Sequence, residues 1–375
     1  MILMNLKIDN FMAFNEFDMN LSYAKKIVGN TMTENLKDHP NFRYRKLNII
    51  MGANASGKTS IGKILLSIFK FINEKEFITI TSNINNHDKE ALIEVEFVEK
   101  DTFYRVSTKV LPISPNDKYS SKEIYVRTQK TQILKNDTYE KVLKKLSNED
   151  DVTFSNDYTR ELEKVENLSW VFEFPRDSER NAFSYTPHNE ERYITILKNT
   201  LQALDPLITE VKKTEEPNFD NAYVIKLGDF SIMIGDGKVI LGADKLSSGT
   251  KEGISLANMY AAMNCEEYSF FYYDEKFSYI HSDIEKAFLS IMVDKLEGDR
   301  QLFFTTHDLE ILDMDFPKHS FNFLRKEVYD NKCYISFINA SKYIKKNSDS
   351  LKIAVLNDLF SSAPMVDKIL DLSNI

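Results

Sequence analysis

"GANASGKT", residues 52–59, follows the apolar run "KLNII" at 46–50 and precedes "SIGKILLSIFKFI" at 60–72. It fits G-x-x-x-x-G-K-[ST] at Gly52, Gly57, Lys58 and Thr59. The residue types follow from what such a loop does. Glycines let backbone N–H groups wrap phosphates, a lysine reaches the β and γ phosphates, and the hydroxyl after it is placed to hold Mg²⁺. Asn54, Ala55, Ser56 and Ser60 complete the expected cradle. At average composition the pattern arises by chance in a chain this long on the order of 1% of the time. Residues 43–51 read as a strand entering the loop, and Ile61, Ile64, Leu65 and Ile68 recur at helical spacing after it. The order is strand, loop, helix, and the expected ligands are ATP and Mg²⁺.

Working outward, the 375 residues carry a formal net charge of −9 with 28% charged side chains. That balance argues against a broadly basic nucleic-acid surface and leaves a local basic groove open. The pairs Lys25–Lys26, Lys144–Lys145, Lys212–Lys213 and Lys345–Lys346 are too short to be more than solvated faces. Cys265 and Cys333 stand alone, without metal-ligand spacing, and fit small core residues in a reducing compartment. "MILMNLKIDNFMAF" is interrupted by Asn5, Lys7, Asp9 and Asn10 and reads as a strand rather than a leader. No stretch approaches the ~20 apolar residues of a membrane span, so the expectation is a cytoplasmic protein without a membrane partner.

Residues 2–9 alternate apolar and polar, and "EFDMNLS" at 16–22 reads as an antiparallel partner. "EALIEVEFVEKDTFYRVSTKVLP" at 90–112 alternates on both sides of "EKD", and "KEIYVRTQKTQIL" at 122–134 adds a third strand. "TYEKVLKKL", "YTRELEKVENL" and "ERYITILKNTLQALDPLITEVKK" then read as helical. Strand signals return in "AYVIKLG", "FSIMIG" and "KVILG" between 222 and 242, separated by Gly-Asp turns. A helix at about 251–264 precedes two apolar runs, "SFFYY" and "QLFFTT", short enough for buried parallel strands. A hairpin at 320–338 and a helical tail follow. The expected organisation is an N-terminal lobe at 1–134, a helical insertion at 135–215, a C-terminal lobe at 216–340 and a tail at 341–375.

Three further motifs choose among the many machines that use such a loop. "LSSGTKEG" at 246–253 presents Ser247, Ser248 and Gly249 at a helix start, where hydroxyl and N–H groups can receive a γ-phosphate. A plain N-cap would look the same. "SFFYYDEKF" at 269–277 ends a strand in adjacent carboxylates, Asp274 to hold Mg²⁺ and Glu275 to orient or deprotonate the attacking water. "QLFFTTHD" ends another strand in Thr305, Thr306 and His307, a histidine placed to sense the γ-phosphate.

This order of glycine loop, signature, Asp-Glu and His resembles the ABC-ATPase superfamily. Within it the chain resembles the stand-alone AAA_15 and AAA_21 type, related to RecF, Rad50/SMC heads and overcoming-lysogenization-defect ATPases. "LKIDNFMAFNEFDMNL" is similar to that group's N-terminal strand pair, with Met12 where a basic residue is usual. "LSSGT", "FFTTHD" and "VLNDLFSSAPMVDKILDL" are most similar to bacterial phage-defence ATPases of the Septu and PARIS type. The resemblance implies an α/β P-loop ABC-ATPase head with a mostly parallel core sheet, an antiparallel β lobe and the helical insertion. It implies a head-to-tail homodimer that sandwiches ATP between Lys58 of one copy and Ser248 of the other. It also implies a separate effector subunit, commonly a nuclease, and a phage-derived trigger. The alternative is a DNA-binding ATPase of RecF or Rad50 type, with nucleic acid as partner, although no sustained heptads supply a Rad50 arm. "KFSYIHSDI" departs from the usual turn after the second carboxylate, with His281 where relatives carry Leu-His-Pro. No glutamine fits a Q-loop, because Gln129 and Gln132 fall in the lobe.

Overall fold

The computed structural model describes residues 1–24, 32–147, 153–175, 183, 185–329, 332–345, 349–361 and 367–374. Lys25–Lys26, Lys346 and residues 362–366 of the late motif lie outside them. Two compact units emerge, one of residues Met1–Leu168 with Gly298–Ile375 and the other of Ser169–Glu297.

The first unit holds a five-stranded antiparallel sheet in the order Phe17–Asn20, Ile2–Asp9, Ala91–Glu99, Thr102–Val110 and Ile124–Gln132. Alternation drives it, as in Ile2–Asp9, where Leu6 and Ile8 are buried on either side of exposed Lys7. Lys100, at φ 51, turns the Ala91–Glu99 and Thr102–Val110 strands into a tight hairpin. The helix Tyr139–Ser147 drives Tyr139, Val142 and Leu146 into a cluster with Ile2, Met4, Phe42, Tyr44 and Phe103.

The same unit contains the glycine-loop strand Leu47–Met51, flanked by parallel strands Gln301–Thr305 and Phe321–Tyr329. Lys332–Asn339 closes that edge as an antiparallel hairpin. All residues of Leu47–Met51 and Gln301–Thr305 are buried, as parallel strands covered on both faces require. Buried Gln301 stitches the unit together. Its Oε1 accepts from Leu3 N–H at 2.8 Å, and its Nε2 donates to the Leu3 and Arg45 carbonyls at 3.0 and 2.9 Å.

In the second unit Trp170–Glu173 pairs in parallel with Phe270–Asp274. Helices Glu190–Leu204, Ser248–Ala262 and Ser282–Asp294 accompany an antiparallel meander of Ile208–Glu216, Phe219–Leu227, Phe230–Gly235 and Lys238–Leu241. Gly253 lets the first two helices approach closely, since a Cβ there would lie 3.1 Å from Leu201 Cδ2.

Among the described residues, the 135–215 stretch contains the expected helices Tyr139–Ser147, Tyr158–Leu162 and Glu190–Leu204, but also the strands Trp170–Glu173 and Ile208–Glu216. Helical periodicity in "ERYITILKNTLQALDPLITEVKK" stops at Leu204 because Asp205 precedes Pro206, which disfavours helical φ/ψ before it. Beyond the proline, Ile208, Thr209 and Val211 favour an extended chain, and Ile208–Glu216 becomes a strand. "WVFE" at 170–173 is a short apolar run whose periodicity distinguishes neither state. Cys265 and Cys333 are half-buried rather than core residues, and Cys265 Sγ lies 2.9 Å from Tyr185 Oη. Among the described residues no helix is long and apolar enough to cross a membrane.

Candidate functional site

The glycine loop leaves Leu47–Met51 and enters the 17-residue helix Lys58–Glu74 through Gly57, which sits at φ 108. A side chain at Gly57 would be strained and would press on Phe14 at 3.0 Å and Ile335 at 3.1 Å. A Cβ at Gly52 would meet Ser56 Oγ at 2.6 Å and the Leu324 carbonyl at 2.9 Å. The backbone can therefore close into a cradle only with glycine at these two positions. Ala55 takes φ 62, and Ser56 is buried with N–H donating to Ala53 O at 3.1 Å. Buried Lys58 folds over the loop, donating from Nζ to the Gly52 carbonyl at 2.7 Å and the Ala53 carbonyl at 3.3 Å. Asn54 is exposed, while Thr59 and Ser60 are half-buried in the first turn. The long helix starts directly from the loop, and the first-turn N–H groups of a helix are a donor set suited to phosphate oxygens. With Lys58 and the Thr59 hydroxyl, these residues fit a Mg²⁺-bound nucleotide.

His307 belongs to the same unit. Thr305 is in register with Ile50, and Thr306 N–H donates to the Ile50 carbonyl at 3.2 Å, so the 306–308 segment leaves the sheet beside the glycine loop. His307 is exposed there, followed by Asp308, whose N–H donates to Thr306 Oγ1 at 3.0 Å. Ala13, Asn15 and Tyr334, chain neighbours of Phe14 and Ile335, line a cavity of about 520 Å³ with Met12, Asn85 and Lys89. Its volume suits a small ligand. Met12, noted for its lack of charge, takes φ 48 and donates its N–H to Asn83 O at 2.7 Å.

The second unit carries the other motifs. Ser247 caps the helix Ser248–Ala262, its Oγ accepting from Thr250 N–H at 3.0 Å, so the capping reading is realised for this serine. Ser248 is exposed at the first helical position and is not the cap. A Cβ on Gly249 would lie 2.8 Å from the Tyr279 carbonyl, which packs the signature turn on the turn that follows Glu275. Asp274 ends its strand fully buried, and Glu275 adopts φ 44, unusual for a non-glycine residue. Ser278 Oγ donates back to the Glu275 carbonyl at 2.9 Å. His281 is exposed and caps Ser282–Asp294, its Nδ1 accepting from Asp283 N–H at 3.2 Å.

Sequence reasoning did not find Lys276. This buried lysine lies 2.7 Å from Glu252 Oε2 and 3.5 Å from Glu173 Oε2, and donates to the Phe174 carbonyl at 3.0 Å. Burial is the main cause that raises the Glu173 carboxyl to about 7, with Lys276 pulling it down and Glu252 pushing it up. Burial, with Glu173, Glu252 and Glu285 adding to it, holds the Tyr273 hydroxyl well above its ordinary value. The partners come from positions about a hundred and two dozen residues away, so no local pattern marks them. Gln129, which failed to fit a Q-loop, donates to the Leu146 carbonyl at 3.2 Å and is structural.

Residues 47–313, more than half of the chain, match the AAA_21 family, described as "AAA domain, putative AbiEii toxin, Type IV TA system". An SMC head crystallised with the C-winged helix domain of ScpA is similar in structure at 12% identity and TM-score 0.51, covering 92% of this chain and 100% of that one. An SMC head with an extended coiled coil, bound to a ScpA domain from Pyrococcus furiosus, matches at 10% identity and TM-score 0.48, covering 96% and 99%. The SMC head of Thermotoga maritima matches at 14% identity and TM-score 0.43, covering 89% and 98%. No curated protein matches the sequence. The chain belongs to the AAA_21 family of P-loop ATPases and shares the fold of the SMC ATPase head.

Proposed function

We propose that the chain binds and hydrolyses ATP and uses the nucleotide as a switch. The observation that carries this reading is the glycine loop itself, closed at Gly52 and Gly57 and filled by Lys58 at the start of a long helix. In this reading Lys58 and the first-turn N–H groups hold the β and γ phosphates, and His307 reads the γ-phosphate. Thr59 and Asp274 hold Mg²⁺, which supplies charge neutralisation on the phosphates. Glu275 orients and deprotonates the attacking water. Asn54, Ala55, Ser56 and Ser60 shape the loop.

Ser248 and Gly249, at the helix end that Ser247 caps, act in trans on a second copy's nucleotide, so two chains close head to tail around ATP and loosen after hydrolysis. We assign the protein to bacterial anti-phage defence, in the cytoplasm, where it controls a separate effector, a nuclease, in response to a phage-derived trigger. The toxin–antitoxin description of the family and the motif resemblance to Septu and PARIS ATPases support that assignment. The SMC head bound to ScpA offers a parallel for a partner on the same fold.

Lys58→Ala tests the core of the reading. Phosphate release from Mg-ATP is expected to fall about 100-fold or more in this variant, as when a phosphate-stabilising donor is lost. Phosphate release equal to wild type would overturn the assignment of Lys58.

A further inference from the structure

We propose that Lys276 is a positioning residue whose buried ammonium ties the Asp274–Glu275 corner to the helix that begins at Ser248. Its catalytic meaning rests on reading Asp274 and Glu275 as the hydrolytic carboxylates. The tie itself does not.

Lysine is almost never fully buried without a partner, yet Lys276 is 3% exposed, beside Glu252 at 3% and Glu173 at 1%. Such a cluster is a poor stabiliser, because desolvating the charges offsets much of their attraction and apolar side chains would fill the space at least as well. What the cluster does supply is direction. The ammonium joins its own segment to two separate pieces of chain: the helix, through Glu252, and the end of Trp170–Glu173, through Glu173 and the carbonyl of Phe174 just beyond it. It does so immediately after Glu275, whose left-handed backbone persists only if its flanks are fixed. Asp274 is fixed on one flank by the strand, and Lys276 on the other by the cluster.

The tie also reaches the signature turn. Glu252 follows Ser248 by four residues, one helical turn, on the same face. A displacement of the Ser247–Gly249 end is therefore delivered within one turn to Lys276 and so to Glu275. Gly249 and Tyr279 form a second contact between the same two segments. A ligand that engages Ser248 would thus set the carboxylate corner by moving a connected charge cluster.

Hydrogen exchange of the full chain at pH 7 without nucleotide tests the tie directly. In Lys276→Met and Glu252→Gln, the amides of 275–280 are expected to exchange about tenfold faster or more, while those of 58–74 stay unchanged. Lys276→Arg is expected to restore part of the protection. Unchanged exchange at 275–280 in a folded variant would overturn the proposal. Should Lys276→Met fail to fold, Glu252→Gln, which keeps the ammonium, carries the same test. With Mg-ATP, Lys276→Met is expected to lower kcat about tenfold or more at unchanged KM, the signature of a lost orientation rather than lost binding. A folded variant with wild-type kcat would remove the catalytic role. If wild type itself releases no phosphate, the ATPase reading falls while the exchange result still decides the tie.

Discussion

Glu173 is a side chain whose ionisation in the folded protein differs from that in the unfolded chain. Its carboxyl is raised by burial to about 7 against an ordinary value of 4.5, with Lys276, Glu252 and Tyr273 as its charged and titratable neighbours. The fold therefore favours the protonated form. That contribution is complete below the ordinary value and disappears as pH rises through about 7, a change on the order of 3 kcal/mol. Glu173→Gln stays neutral at every pH. Its melting temperature relative to wild type is expected to climb between pH 5 and pH 8, and a difference constant across that range would contradict this. At this scale the sequence made most of the proposed site legible, because Gly52, Lys58, Ser248, Asp274 and His307 sit in local patterns that chemistry constrains. Lys276 was not legible, since its roles come from Glu252 and Glu173, which only the fold brings to it.

At the scale of elements, the signature helix separates two readings of adjacent serines. Ser247 is a structural cap, so Ser247→Ala is expected to destabilise by about 1 kcal/mol. Ser248 is exposed at the first helical position, so Ser248→Ala is expected to leave the melting temperature within the scatter of surface substitutions. Only the second is expected to abolish ATP-dependent assembly on its own account. Thermal melts and sedimentation of both variants decide it, and an assembling Ser248→Ala chain would contradict the trans role. Elements with strong periodicity were legible: Ile2–Asp9, the hairpin around Lys100, Lys58–Glu74 and the buried runs Phe270–Asp274 and Gln301–Thr305. The miss at Ile208–Glu216 came from carrying a helical period past Pro206. Trp170–Glu173 was too short for a period to form, and its identity as a strand rests on its parallel pairing with Phe270–Asp274.

At the scale of the molecule, the chain leaves its first unit after Leu168 and returns at Gly298. Lys58 and His307 belong to the first unit, while Ser248, Asp274 and Glu275 belong to the second. That division could not be read from the sequence, where the helical patterns on both sides of residue 168 look alike. Blocking hydrolysis while leaving binding intact should hold the ATP state. Static light scattering on Glu275→Gln with Mg-ATP makes the decisive measurement, with phosphate release followed in the same sample. The expected result is no phosphate release and a stable species of twice the single-chain mass that disappears when ATP is withheld. A variant that stays at the mass of one chain while ATP is bound, or that hydrolyses at the wild-type rate, would contradict an ATP-gated dimer with Glu275 as its base.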